Sequence, residues 1–166
     1  TFDQVLGYMA QVGDEIPYGL WRRVSEELLE EPLQRVAPLI IEQAERFGIL
    51  HQTSDFIFFS KHSYAEALRD DFEALETADL THAAFADLLR EYYASPNREQ
   101  LKLIIHHLLG SEQYTEAIKL LRDEGQRAFR TLDFDAAREY FLRIQQIIDQ
   151  VEPEGPLDLD GDGVVD

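Results

Sequence analysis

"AERFGILHQTSDFIFFSKHSYAEAL", residues Ala44 to Leu68, changes its periodicity twice. It opens as the end of a helix, with Ala44 and Phe47 on an apolar stripe that Gly48 stops. "ILHQ" and "FIFFS" then read as two short strands around the polar turn "TSD", pairing residues near Ile49–Gln52 with Phe56–Ser60. From Ser63 the spacing is helical again. This is the one convincing β signal in the chain.

Working outward, the stripe that ends at Phe47 begins at Leu33 and runs through Val36, Ala37, Ile40 and Ala44. Pro38 lies inside it, so the helix either kinks there or starts near Ala37; a proline is best tolerated in a first turn, which favours the start. Further upstream, Leu20, Trp21, Val24 and Leu28 form a second helical face, behind a Pro17 that suits a helix start. Phe2, Val5, Leu6, Met9, Ala10 and Val12 form a third, closed by Gly13. Three helices followed by a β-hairpin make the outline of a winged helix, expected over residues 1–62.

Downstream, residues 63–150 read as helices joined by short connections, which implies antiparallel neighbours. "SYAEALRDDFEAL" precedes "DLTHAAFADLLREYY", with Asp79 or Thr81 as its cap, and "SPN" breaks the chain at Pro96. Gly125, Ala128, Phe134, Ala137 and Phe141 fall at the small and aromatic positions of a tetratricopeptide repeat. "QYTEAIKLL" repeats part of that pattern through Tyr114 and Ala117, but Ala117 and Ala137 are closer than a full repeat. The expected fold is mainly α: a winged-helix-like part with one hairpin, then tetratricopeptide-like α-hairpins. Residues 151–166 form an acidic linker and tail.

Composition narrows the function classes. The 166 residues carry 33 acids against 15 bases, a net charge of −18, and no cysteine. Thiolate chemistry, disulfide scaffolds and sulfur-ligated zinc are therefore excluded. A field of this sign repels phosphate backbones and anionic headgroups, so neither nucleic acid nor membrane is an expected partner, and a cytoplasmic location is expected. A winged helix would read DNA with the helix Leu39 to Phe47, but its outward residues, Glu42, Gln43, Glu45 and Arg46, are mostly acidic or neutral.

Taken together, these motifs resemble the region that follows the ATPase module in STAND-type signal-transduction ATPases, the maltose-activator-like regulators among them. The resemblance rests on "AERFGIL", on Phe59 with Glu66, Ala67 and Leu68 in "FSKHSYAEAL", and on Leu80, His82 and Ala86 in "LTHAAFADLL". It departs at Lys61, where the family usually has histidine; His62 is displaced by one. The resemblance implies a relay and interaction segment of a larger protein. No GxxxxGK[ST] loop is present, so no nucleotide site is assigned to this chain.

Residue chemistry adds little catalysis. His51, His62, His82, His106 and His107 are the histidines; the adjacent pair His106–His107 points to two helix faces and is poorly placed to chelate one ion, and His82 reads as a packed residue at a helix start. The serines lack a nucleophile-elbow context. The tail "LDLDGDGVVD" matches an EF-hand-type calcium loop, with Asp158, Asp160 and Asp162 at positions one, three and five. Gly163 takes the turn position, the Val164 carbonyl is at seven and Asp166 at nine. The acid at twelve is missing because the sequence ends first, so weak calcium binding and a natural continuation are expected. The leading expectation is a non-enzymatic regulatory segment that binds a basic protein or peptide, with Tyr92, Tyr93, Tyr114 and Phe134 as contributors. A calcium-responsive module is the alternative; DNA binding is disfavoured by charge.

Overall fold

The computed structural model describes residues 1–75 and 77–151. Among them are eight helices and a three-stranded antiparallel sheet. The chain forms two compact units, Thr1–Ser111 and a second beginning at Glu112.

In the first unit, α1 (Phe2–Val12) leads through β1 (Glu15–Pro17) into α2 (Tyr18–Leu28) and α3 (Glu31–Arg46). The hairpin β2 (Leu50–Gln52) and β3 (Phe56–Phe59) follows as expected, with Leu50 opposite Phe59 and Gln52 opposite Ile57. The third strand was not anticipated. β1 pairs with the other edge of β3, Ile16 facing Ile57, and the sheet order is β1-β3-β2. Three residues are too few to show alternation, and Pro17 drew the reading toward a helix start. It serves both roles, closing β1 and capping α2. Ile16, Leu50 and Ile57 are buried beside Val5, Met9, Leu20 and Val24, so sheet and helices share one core. The arrangement is mainly helical with one hairpin, as expected, extended by β1 into a three-stranded sheet.

Two local expectations are corrected. α3 does not start near Ala37; it starts at Glu31, with Pro32 in its first turn, and continues through Pro38. Pro38 is exposed, so water can take the Gln34 carbonyl that loses its helical donor. Phe47 is also not in the stripe: it is 67% exposed, and Ile41 is buried instead. Gly48 ends the helix with φ of 70°, a conformation that costs other residues energy.

The sequence placed a boundary near residue 62, yet α4 (His62–Glu73) packs on α1 and α5 (Ala78–Tyr92) on α2. With α6 (Arg98–Gly110) against α5, the first unit therefore extends to Ser111. α5 is capped at Thr77, ahead of the two residues expected. α6 begins with a reciprocal capping box: the Gln100 amide N–H donates to the Asn97 side chain at 3.0 Å, and the Asn97 N–H donates to the Gln100 side chain at 2.9 Å.

The second unit is an antiparallel hairpin of α7 (Tyr114–Arg130) and α8 (Phe134–Val151). The Asp133 side chain accepts from the Ala136 amide at 3.1 Å and so caps α8. A Cβ placed on Gly125 would stand 3.1 Å from the Phe141 ring and 3.4 Å from the Tyr140 Cβ, so a small residue allows this close approach. Ala137 is buried as well. Ala137→Leu is expected to lower stability by about 1–2 kcal/mol, because added methylenes force strain into a packed contact. An unchanged denaturation midpoint would contradict that packing.

Candidate functional site

Two backbone carbonyls at the end of α1 organise the candidate site. The last carbonyls of a helix lack donors one turn on, and here that end is buried: the Gly13 N–H reaches the Ala10 carbonyl at 3.2 Å, and side chains supply the rest. Arg69 Nε, from α4, donates to the Ala10 carbonyl at 2.8 Å. His107 Nε2, from α6, meets the Gln11 carbonyl at 2.9 Å. A carbonyl can only accept, so His107 carries its proton on Nε2.

The rest follows by elimination. Burial first, then the neighbouring His106, holds His107 well below the ordinary imidazole range, so it is neutral and its Nδ1 is a bare acceptor. His82 Nδ1 lies 2.8 Å from that nitrogen and must donate to it. The other nitrogen of His82, Nε2, lies 3.0 and 3.1 Å from the two carboxylate oxygens of Glu73. With Nδ1 protonated, a neutral His82 would turn a lone pair on a carboxylate. A cation has to lie between them, and a single proton shared by the pair is the smallest that serves.

The fold sets up this relay simply. His82, Phe85, Ala86 and Leu89 occupy one buried face of α5, and Leu101, Ile104, Ile105 and Leu108 line α6. The two helices are antiparallel neighbours, which brings His82 opposite His107. The His107 ring stacks on Phe85 with centroids 4.8 Å apart. His82 is completely buried, whereas Glu73 and His106 are about half exposed. The divergence expected of His106 and His107 is present only in burial, His107 being buried and His106 half exposed; their ring centroids lie 5.1 Å apart. All three histidines nevertheless offer ring nitrogens within 4.8 Å of one another.

Beside the relay is a cavity of about 780 Å³ whose walls include Gln11, Asp14, Phe56, Tyr93, Lys102 and His106. The Gln11 side chain is 1% exposed, and neither its carboxamide oxygen nor its nitrogen has a hydrogen-bond partner. At the rim, Asp14 takes hydrogen bonds from both His62 and Arg69. Burial pushes the Asp14 carboxyl up, but these two partners outweigh it and leave it below the usual carboxylate range. His62 is pushed up, mainly by its bond to Asp14, with Glu66 adding to the effect and Arg69 opposing it.

That pair predicts a pH window. A raised His62 contributes stability below the unfolded histidine pKa of about 6.5, which is lost as pH rises through the higher folded value. A lowered Asp14 contributes above the unfolded value of about 3.9, and its share is lost as pH falls through the lower folded value. The denaturation midpoint of His62→Ala, subtracted from wild type, should therefore be largest near pH 5–6 and shrink above pH 7. A difference independent of pH would contradict the pairing.

Among the other sequence candidates, His51 is exposed on β2. Arg46 pairs with Glu42 on α3, leaving that helix no free cation for phosphate at this position. Tyr92 and Tyr93 are half-buried in the first unit; Tyr114 is half-buried and Phe134 exposed in the second. The calcium-loop residues Asp158, Asp160, Asp162, Val164 and Asp166 lie outside the described residues. Among the described residues, no helix is long and apolar enough to cross a membrane. No protein-family model matches the chain, and neither does any curated protein or solved structure with which it was compared.

Proposed function

We propose that the chain is a non-enzymatic regulatory segment that binds a polypeptide stretch of a basic partner in the cavity beside Gln11. The observation that carries this reading is the unpaired Gln11 carboxamide. Each buried polar group without a partner costs about 1–3 kcal/mol; both atoms lie behind the cavity wall, so a ligand that shifts the wall and satisfies both is favoured. A peptide group does so, donating its N–H to the amide oxygen and accepting from the amide nitrogen. The cavity is of ligand-binding size, and the half-buried Tyr93 adds an aromatic wall.

Charge selects the partner. The first unit holds 19 acids against 9 bases, a field that accelerates encounter with cations. The resemblance to the relay region of STAND-type regulators points the same way, toward binding rather than catalysis. In the second unit, Phe129 and Phe134 pack edge to face at the hairpin turn, and both are largely exposed, as is Leu132. They add an apolar surface of the kind that protein partners use.

Fluorescence anisotropy with panels of Lys/Arg-rich and Asp/Glu-rich peptides tests this. The basic panel should bind with an affinity that falls as salt rises. Gln11→Leu should weaken that binding while leaving the denaturation midpoint unchanged or raised. Equal binding of both panels, or binding indifferent to Gln11→Leu, would contradict the reading.

A further inference from the structure

We infer that Glu73, His82 and His106 form a binding site for a divalent transition-metal ion of the zinc class. The deciding feature is geometric: a Glu73 carboxylate oxygen lies close to a ring nitrogen of both His82 and His106, and those rings offer nitrogens within 4.8 Å of one another. His107 fixes the His82 tautomer from the far side of the ring, with its own tautomer fixed by the Gln11 carbonyl. His82 Nε2 is the ring nitrogen that faces Glu73, where a metal ion would take the place of the shared proton. Metal-ligating histidines are held in this way, the second ring nitrogen bonded to a partner that sets tautomer and orientation.

The Glu73 carboxylate is shared by the two rings. Glu73 Oε1 is 3.0 Å from His82 Nε2 and 3.7 Å from His106 Nε2. Zinc bonds of about 2.0–2.2 Å in tetrahedral geometry set neighbouring donors roughly 3.3–3.5 Å apart, and the two observed separations bracket that range. Two imidazoles with one carboxylate form a set that suits zinc and its neighbours better than calcium or magnesium, which prefer oxygen alone. Half-exposed Glu73 and His106 give the ion a way in and leave a fourth position for water or a ligand.

The same cation answers the electrostatic problem at this spot. A lone pair and a carboxylate at hydrogen-bond distance need a positive charge between them, and a metal ion serves as a proton does. His106 and His107 thus divide the work: His106 binds the ion, and His107 holds the residue that binds it.

Isothermal titration of the full chain with Zn²⁺, and absorption spectroscopy with Co²⁺, test this. One tight site per chain should appear, and bound Co²⁺ should show the intense visible bands of a tetrahedral nitrogen–oxygen site. His106→Gln and Glu73→Gln, both at half-exposed positions that folding tolerates, should each weaken Zn²⁺ affinity on the order of 100-fold or more. Excess Ca²⁺ should not compete. Binding that survives both substitutions, or that Ca²⁺ or Asp158→Ala abolishes, would overturn the inference in favour of the acidic tail. Absence of a tight site would overturn it in favour of a shared proton.

Discussion

His107→Ala is expected to lower the stability of the first unit by about 3–5 kcal/mol, the cost of emptying a buried aromatic position. Three losses combine. The ring leaves a cavity beside Phe85, on which it stacks. The Gln11 carbonyl loses its donor at a buried helix end. His82 Nδ1 loses its acceptor while still buried. His107→Gln separates packing from hydrogen bonding, because its terminal amide can still donate toward the Gln11 carbonyl; it should recover part of the loss. Chemical denaturation measures all three proteins. Equal loss for both variants would show that His107 acts by volume alone.

Gly110→Ala should cost about 3 kcal/mol, the upper end for overpacking a rigid contact, although alanine is the better helix former. A Cβ at this position would stand 2.7 Å from both Cγ and Cδ2 of the His82 ring. That ring cannot retreat: His107 stands against one side, Phe72 lies edge-on, and Glu73 faces its outer nitrogen. Gly110 is therefore the residue that lets α6 approach the relay. Neutral or raised stability, read from the denaturation midpoint, would mean that the ring moves freely and that the relay is not rigid.

Patterns of several residues made the helices and the hairpin readable from sequence. Leu50–Gln52 and Phe56–Phe59 form the strands where extended spacing placed them, and Gly13 and Gly48 end their helices. β1 was hidden because three residues carry no period, and its pairing with β3 depends on a neighbour about forty positions away. Pro38 misled because proline in an exposed helix face costs less than proline in a buried one. The relay was hidden for a different reason. His82 and His107 meet only through the register of two antiparallel helices, which neither residue reveals alone. One signal was available: His82 heads the same buried face as Phe85 and Leu89, and His107 faces it from α6. A histidine on an apolar face in each of two neighbouring helices, with Gly110 close by, marks a paired buried site.

The claim on which the site rests is the order of protons along Gln11, His107 and His82. Long-range ¹H–¹⁵N correlation spectra of the imidazole rings at neutral pH, assigned through His82→Gln and His107→Gln, read it directly. His107 should appear as the neutral tautomer protonated at Nε2, and His82 Nδ1 should carry a proton. A His107 ring protonated at Nδ1, or a His82 Nδ1 without a proton, would contradict the account.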